Sequence, residues 1–187
     1  MNHKGSVIIE TKRLILRPFS IEGSKPMFLN WARDLEVTKF LTWPPHADPS
    51  VSQAVIESWL LLYKNLDHYS WAIVLKEIGE PIGSIAAVGK DDDIKMVHMG
   101  YALGRKWWNK GYTSEALSAL IQFFFEEVGV NRIESSHDPR NINSGKVMIK
   151  CGLKYEGTME QDQISNQGLS DSVRYAILAQ DYFSNKE

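Results

Sequence analysis

Apolar and polar residues change rhythm several times along this chain, and each change marks an element. Residues 13–17 (Arg-Leu-Ile-Leu-Arg) are β-rich and alternate up to Pro18, which predicts a strand. Residues 20–67 read as helix and loop. Trp31, Leu35 and Phe40 fall in the first part, and Val55, Ile56, Trp59, Leu60 and Tyr63 fall at helical spacing in the second. The stretch 40–46 between them is excluded from helix, because Pro44 and Pro45 remove donors and fix φ. Three strands follow, over 70–76, 81–90 and 94–103, separated by short polar turns at 77–80 and 91–93. Such turns predict antiparallel neighbours. The period then changes. Ala116, Leu117, Leu120, Ile121, Phe124, Phe125 and Val128 form one helical stripe that Gly129 stops. A strand over 132–137, a short helix over 144–151 and strands over 153–161 and 172–178 complete the pattern.

This order predicts a mixed α/β sheet, mostly antiparallel and flanked by helices. A helix crossing from the strand that ends at Leu103 to the one that starts at Arg132 makes those two parallel. Ligands in such sheets settle beyond the carboxyl ends of parallel strands, near the next helix N-terminus.

At 187 residues the chain is expected to form one domain, residues 1–187. Lys and Arg total 21 against 23 Asp and Glu, a net charge of −2, which disfavours nucleic-acid coating as its main business. No apolar run approaches the ~20 residues of a membrane span. The start of the chain has no apolar signal core, so a cytoplasmic protein is expected. The single cysteine, Cys151, excludes an internal disulfide and is read as packing; no Cys/His cluster has metal spacing. The run Asp91-Asp92-Asp93 is a polar turn rather than a metal site.

The chemistry concentrates between residues 100 and 116. A strand ends at Leu103, a basic loop with glycine follows, and an amphipathic helix begins near Thr113. A helix start leaves backbone N–H groups unpaired and carries about half a positive charge. Gly111 permits close backbone approach, while Arg105, Lys106 and Lys110 add cations, so the loop suits an anion such as phosphate. It is neither a Walker A sequence nor a dinucleotide fingerprint. An ordinary loop with solvated lysines remains open on composition alone.

Trp108-Asn109-Lys110-Gly111-Tyr112-Thr113-Ser114-Glu115-Ala116 resembles the pyrophosphate loop of the GCN5-related N-acetyltransferases (GNAT), in the form of the RimJ/RimL-like ribosomal-protein branch. The family pattern is Gln/Arg-x-x-Gly-x-Gly/Ala; Trp108 and Thr113 depart from it at the ends and Gly111 keeps the centre. Asn109 replaces a usual glycine, and asparagine tolerates left-handed backbone angles. Residues 11–17, 98–103, 141–144 and 150–157 resemble further motifs of the branch, in the same order.

The resemblance implies a GNAT fold in which a splayed parallel strand pair holds acetyl-CoA. Backbone groups of Tyr101, Ala102 and Leu103 would pair with the pantetheine arm, with the Tyr101 N–H polarising the thioester carbonyl. The backbone from Asn109 through Lys110, Gly111, Tyr112 and Thr113 to Ser114 would hold the pyrophosphate, with Lys106 beside it. Asn141 and Ser144 would lie across the wedge near the sulfur. An amine would attack the thioester directly. Phe40, Trp43 and His46 would wall the acceptor groove, and the family forms monomers or homodimers.

His98 stands where the branch often has glutamate and is the candidate base, although strand parity sets it on the face opposite Tyr101; a bulge at Gly100 would reconcile the two. A packed histidine is the alternative. Many relatives place an acidic tyrosine where this chain has Met148, so Ser144 becomes the candidate proton donor, or else a helix N-cap. Glu115 is read as capping. The expected acceptor is a peptide or protein N-terminal amine. A polyamine or aminoglycoside acetyltransferase and a non-catalytic acyl-CoA-binding module are the alternatives.

Overall fold

Alternating burial builds the first strands. In the computed structural model, which describes residues 1–184 and 186, β1 (Ile9–Glu10) pairs antiparallel with β2 (Leu14–Arg17), whose Leu14 and Leu16 are fully buried. The N-terminal helical region resolves into α1 (Ser24–Met27), a π-helical turn over Phe28–Ala32, α2 (Leu35–Thr38) and α3 (Pro49–Leu62). Asp34 and Asp48 cap α2 and α3 by accepting from Glu36 N and Ser50 N, and Pro49 occupies the first turn of α3, where its missing N–H costs nothing. Residues 40–46 are non-helical, as the prolines require.

The meander forms as β3 (Ser70–Leu75), β4 (Glu80–Asp91) and β5 (Met96–Leu103), all antiparallel. The crossing helix α4 (Tyr112–Phe123) continues as a π-helical turn to Val128 and stops at Gly129, φ 74°. It leads to β6 (Arg132–His137), parallel to β5. Then come α5 (Ile142–Lys150), the hairpin β7 (Lys154–Ser165) and β8 (Gly168–Leu178), and α6 (Ala179–Ser184). The strands form one eight-stranded sheet in the order β1-β2-β3-β4-β5-β6-β8-β7.

The sheet is sandwiched between two apolar layers. One face packs Val97, Met99 and Leu103 against Leu117, Leu120 and Ile121 of α4 and Phe124 of the π-helical turn. The other packs Ala72, Val74 and Ala102 against Met27, Trp31 and Ile56 of the N-terminal helices.

Three expectations are corrected. The bulge lies on β4 rather than at Gly100: Ala87 pairs with Met99 and Gly89 with His98, leaving Val88 as the extra residue. Gly100 accommodates it, since a Cβ there would stand 3.0 Å from Val88 Cγ1. The short helix starts at Ile142, so Ser144 sits inside its first turn and Asn141 takes the cap position. The last two strands extend through 162–171 into a long ribbon whose polar residues show no alternation, and α6 follows without a turn signal.

Candidate active site

The parallel pairing of β5 with β6 lasts three residues, Met96↔Arg132 to His98↔Glu134, and then the strands part. Ser135 Oγ donates to the Met99 carbonyl at 2.8 Å just past that point. Backbone groups of alternate residues share an edge, so the N–H and C=O of Tyr101 turn to the same open side as those of Met99. Leu103 shares this parity, but its carbonyl already accepts from Trp108 Nε1 at 2.7 Å. The indole at the family motif's first position thus folds the loop back onto the strand. Ala102 has its backbone toward β4, opposite Ser84, and offers the wedge surface rather than hydrogen bonds.

Below the wedge lies a cavity of about 300 Å³. It is bounded by Tyr101, Ala102 and Leu103 of β5, by the loop and first turn of α4, by the inner face of α5, and by Val37, Phe40 and Leu41. Gly111 caps α4 at φ 79° and Asn109 takes φ 59°, the left-handed angle expected of it. The N–H groups of Tyr112, Thr113 and Ser114 precede the first intrahelical donor, Glu115 N, and have no partner within the helix. Asn109, Gly111, Tyr112, Thr113, Ser114, Asn141 and Ser144 all line the cavity.

Glu115 anchors this helix start. It accepts from Thr11 Oγ1 (2.6 Å), Arg13 N (2.8 Å) and Arg13 Nε (2.6 Å). Burial works to raise its pKa, but these donors and the Arg13 charge pull it below the ordinary value. Cys151 ties α4 to α5 by donating to the Ser114 carbonyl at 3.4 Å, and burial pushes its thiol up, away from thiolate chemistry.

Across the cavity the Tyr101 hydroxyl donates to the Ser144 carbonyl (3.0 Å), and Ser144 Oγ donates back to the Tyr101 hydroxyl (3.0 Å). Burial raises the phenol's pKa despite the hydrogen bond from Ser144, so the group stays protonated. Met148, at the position the resemblance gives to a tyrosine in many relatives, is fully buried and does not line the cavity.

His98 lies at the apex of the wedge, outside the cavity lining. Nε2 is 3.3 Å from Ser136 Oγ and Nδ1 is 4.0 Å from Glu134 Oε1. Burial lowers its pKa against the pull of Glu134, keeping the imidazole neutral and able to accept a proton. The β4 bulge leaves the parity of β5 unchanged, so His98 and Tyr101 remain on opposite faces.

Phe40 lines the cavity with the Arg140 guanidinium 5.6 Å from its ring. Trp43 and His46 lie outside the cavity lining: their rings meet at a tilt with centroids 5.4 Å apart, and His46 is buried with Nδ1 2.7 Å from Ser52 Oγ. Lys106 faces a separate hollow and lies over the Trp107 ring, while Lys110 contributes its carbonyl to Arg13. The lysines that line the cavity are Lys146 and Lys150 of α5. Their i, i+4 spacing sets both on one face of the short helix. No acidic residue lines the cavity, and among the described residues no cluster of His, Cys, Asp or Glu could hold a metal ion.

A family model described as the acetyltransferase (GNAT) domain matches residues 13–154. The chain belongs to the GNAT family. This GNAT enzyme, an N-acetyltransferase, is 30% identical to the uncharacterized N-acetyltransferase p20 of Bacillus licheniformis, over 92% of its own length and 96% of that protein's. Solved structures share its fold. The ribosomal-protein-S5-alanine acetyltransferase of Vibrio fischeri superposes with TM-score 0.82 and 20% identity, covering 95% of this chain and 99% of that one. The microcin C7 self-immunity acetyltransferase MccE, in complex with acetyl-CoA and AMP, gives 0.81 and 22% identity over 90% and 93%. No helix among the described residues of the GNAT enzyme is long and apolar enough to cross a membrane.

Proposed function

We propose that this GNAT enzyme acetylates the N-terminal α-amine of a protein or peptide, taking the acetyl group from acetyl-CoA. The observation that carries the reading is the open edge of β5 at Tyr101, lining the same cavity as a helix start capped by left-handed Gly111. A carrier with a thioester at one end and a diphosphate at the other fits those two features, and acetyl-CoA supplies its acetyl group as that thioester.

The Tyr101 N–H is turned to polarise a carbonyl oxygen at the open edge. The amides of Tyr112, Thr113 and Ser114 suit phosphate oxygens. The hydroxyls of Tyr101 and Ser144 offer hydrogen bonds to a departing thiolate, and either does so by leaving their mutual pairing. His98 is neutral but stands at the apex of the wedge, and a solvent relay would connect it to the amine.

A distant base favours an amine that needs little help. An α-amine with pKa about 7.7–8.0 costs ~1.2 kcal/mol to deprotonate at pH 7, against about 4.6 for a lysine side chain near 10.4. A polyamine or aminoglycoside would also want carboxylates, and the cavity lining has none. The fold shared with an S5-alanine acetyltransferase supports the same class.

Thiol release from acetyl-CoA tests the reading across peptides beginning with Ala or Ser, the same peptides with blocked N-termini but free lysines, spermidine and an aminoglycoside. Turnover is expected with the free N-termini and at least tenfold less with the blocked peptides. Preference for spermidine or the aminoglycoside overturns the acceptor class. Binding of acetyl-CoA without turnover on any amine favours the acyl-CoA-binding module.

A further inference from the structure

Two cations converge on the residue that opens α4. A methyl group placed on Gly111 would lie 3.5 Å from Arg13 Nη2 and 3.8 Å from Lys150 Nζ, with no other non-neighbouring atom within 4 Å. Arg13 is pre-oriented. Its Nε is held by Glu115 Oε2, its Nη1 donates to the Lys110 carbonyl at 2.9 Å, and its guanidinium lies 4.3 Å from the centre of the Tyr112 ring. These contacts leave Nη2 as the donor directed at Gly111. Lys150 comes from the far end of α5 and lines the cavity, which has no acidic residue in its wall. Glu115 balances the Arg13 guanidinium on its Nε side, so the space at Gly111, between Nη2, the Lys150 ammonium and the positive end of a helix, favours an anion.

We propose that Arg13 and Lys150 form the second jaw of a diphosphate clamp whose first jaw is the N-terminus of α4. The jaw replaces the basic residues of the loop itself: Lys106 faces another hollow, and Lys110 contributes a carbonyl to Arg13. An arginine fixed by a carboxylate offers a pre-set donor, and a lysine on a flexible stem adds a movable point charge. The convergence point is the capping glycine itself, which assigns the pair to the diphosphate rather than to a phosphate further along the carrier. This inference rests on the reading of the α4 start as the phosphate site.

Titration calorimetry with coenzyme A and with dephospho-coenzyme A, which keeps the diphosphate and lacks the 3′-phosphate, tests it. Lys150→Ala, at an exposed position, is expected to weaken both ligands by the same factor, about tenfold. Lys150→Arg restores affinity to within about threefold, and raising the salt concentration shrinks the gap between wild type and Lys150→Ala. Arg13→Lys, checked by thermal melting for intact folding, also weakens both ligands. Unchanged affinity in Lys150→Ala, or a loss confined to coenzyme A, overturns the clamp. Gly111→Asp, run in parallel, separates the two levels. If it abolishes binding while Lys150→Ala does nothing, only the second jaw falls; if neither variant changes affinity, the phosphate site at α4 falls with it.

Discussion

Replacing Tyr101 by Phe keeps the ring that packs on the α4 side of the sheet and the N–H at the open edge, and deletes only the hydroxyl paired with Ser144. With the phenol's pKa raised by burial, its service to a leaving thiolate is a donated hydrogen bond rather than full proton transfer. The expected cost is therefore about tenfold in kcat, the scale of one such bond, rather than the larger loss of a true general acid. Ser144→Ala should act on the same step. The double variant should lose little more than the worse single one, because the two hydroxyls work as a unit. Steady-state kinetics beside calorimetry decides: acetyl-CoA affinity within about twofold of wild type with reduced kcat supports the pair. Affinity lost while kcat holds would make the hydroxyls a strut between β5 and α5. The family resemblance put both residues at the wedge and offered Ser144 as proton donor or as helix cap, and the cap position falls to Asn141. Helix starts are set by backbone geometry, and Asn141 had an equal compositional claim to the end of α5.

The β7–β8 ribbon reaches back across the acceptor wall. At its tip Asn166 donates from its backbone to the Leu41 carbonyl (3.0 Å) and from Nδ2 to the carbonyls of Thr38 (2.9 Å) and Trp43 (2.7 Å). One side chain thus holds the segment carrying Phe40 and Leu41. Asn166→Ala removes both side-chain donors, so Phe40 should lose its fixed position. The expected result is a five- to tenfold rise (about 1 kcal/mol or slightly more) in KM for the amine, with acetyl-CoA affinity unchanged. Equal KM in variant and wild type would show that the wall stands without the ribbon. Nothing in the local pattern announces this element. Residues 160–168 are almost all polar, and the ribbon is held by side chains such as Gln163 on the Asp171 carbonyl (2.7 Å) and Arg174 on Asp162 (2.6 Å). The meander and α4 were legible because one face of each is buried and stamps its period on the sequence. Trp43 and His46 were misplaced for a related reason: aromatics beside prolines give the same signal whether they line a groove or support its wall.

Across the whole molecule, three histidines from separate regions are held below their ordinary pKa chiefly by burial: His46 behind the acceptor wall, His68 before β3, and His98 at the wedge. His68 Nε2 is buried without a partner, and Asp67 only partly offsets the burial. The unfolded chain binds a proton at each histidine near pH 6.5, whereas the folded chain waits for lower pH. Over that interval the unfolded state holds more protons, so stability must fall as pH falls. Glu115 and Asp138, whose folded pKa values lie below their ordinary ones, add a loss of the same sign, but only as pH drops past the carboxylate range near 4. Acid sensitivity should therefore begin about two units earlier than carboxylates alone would allow, with Tm level above about pH 7.5 and declining from about 6.5 toward 5. Melting the His68→Gln and His98→Gln double variant over the same range should show a shallower decline. A wild-type Tm that stays flat from pH 7 to 5, or an equal slope in both proteins, would mean that the folded histidines take up protons as readily as the unfolded ones. The same uptake bears on catalysis. A neutral His98 persists below the pH at which a solvated imidazole would be charged, so the acid limit on rate should be set by protonation of the attacking α-amine before it is set by this histidine.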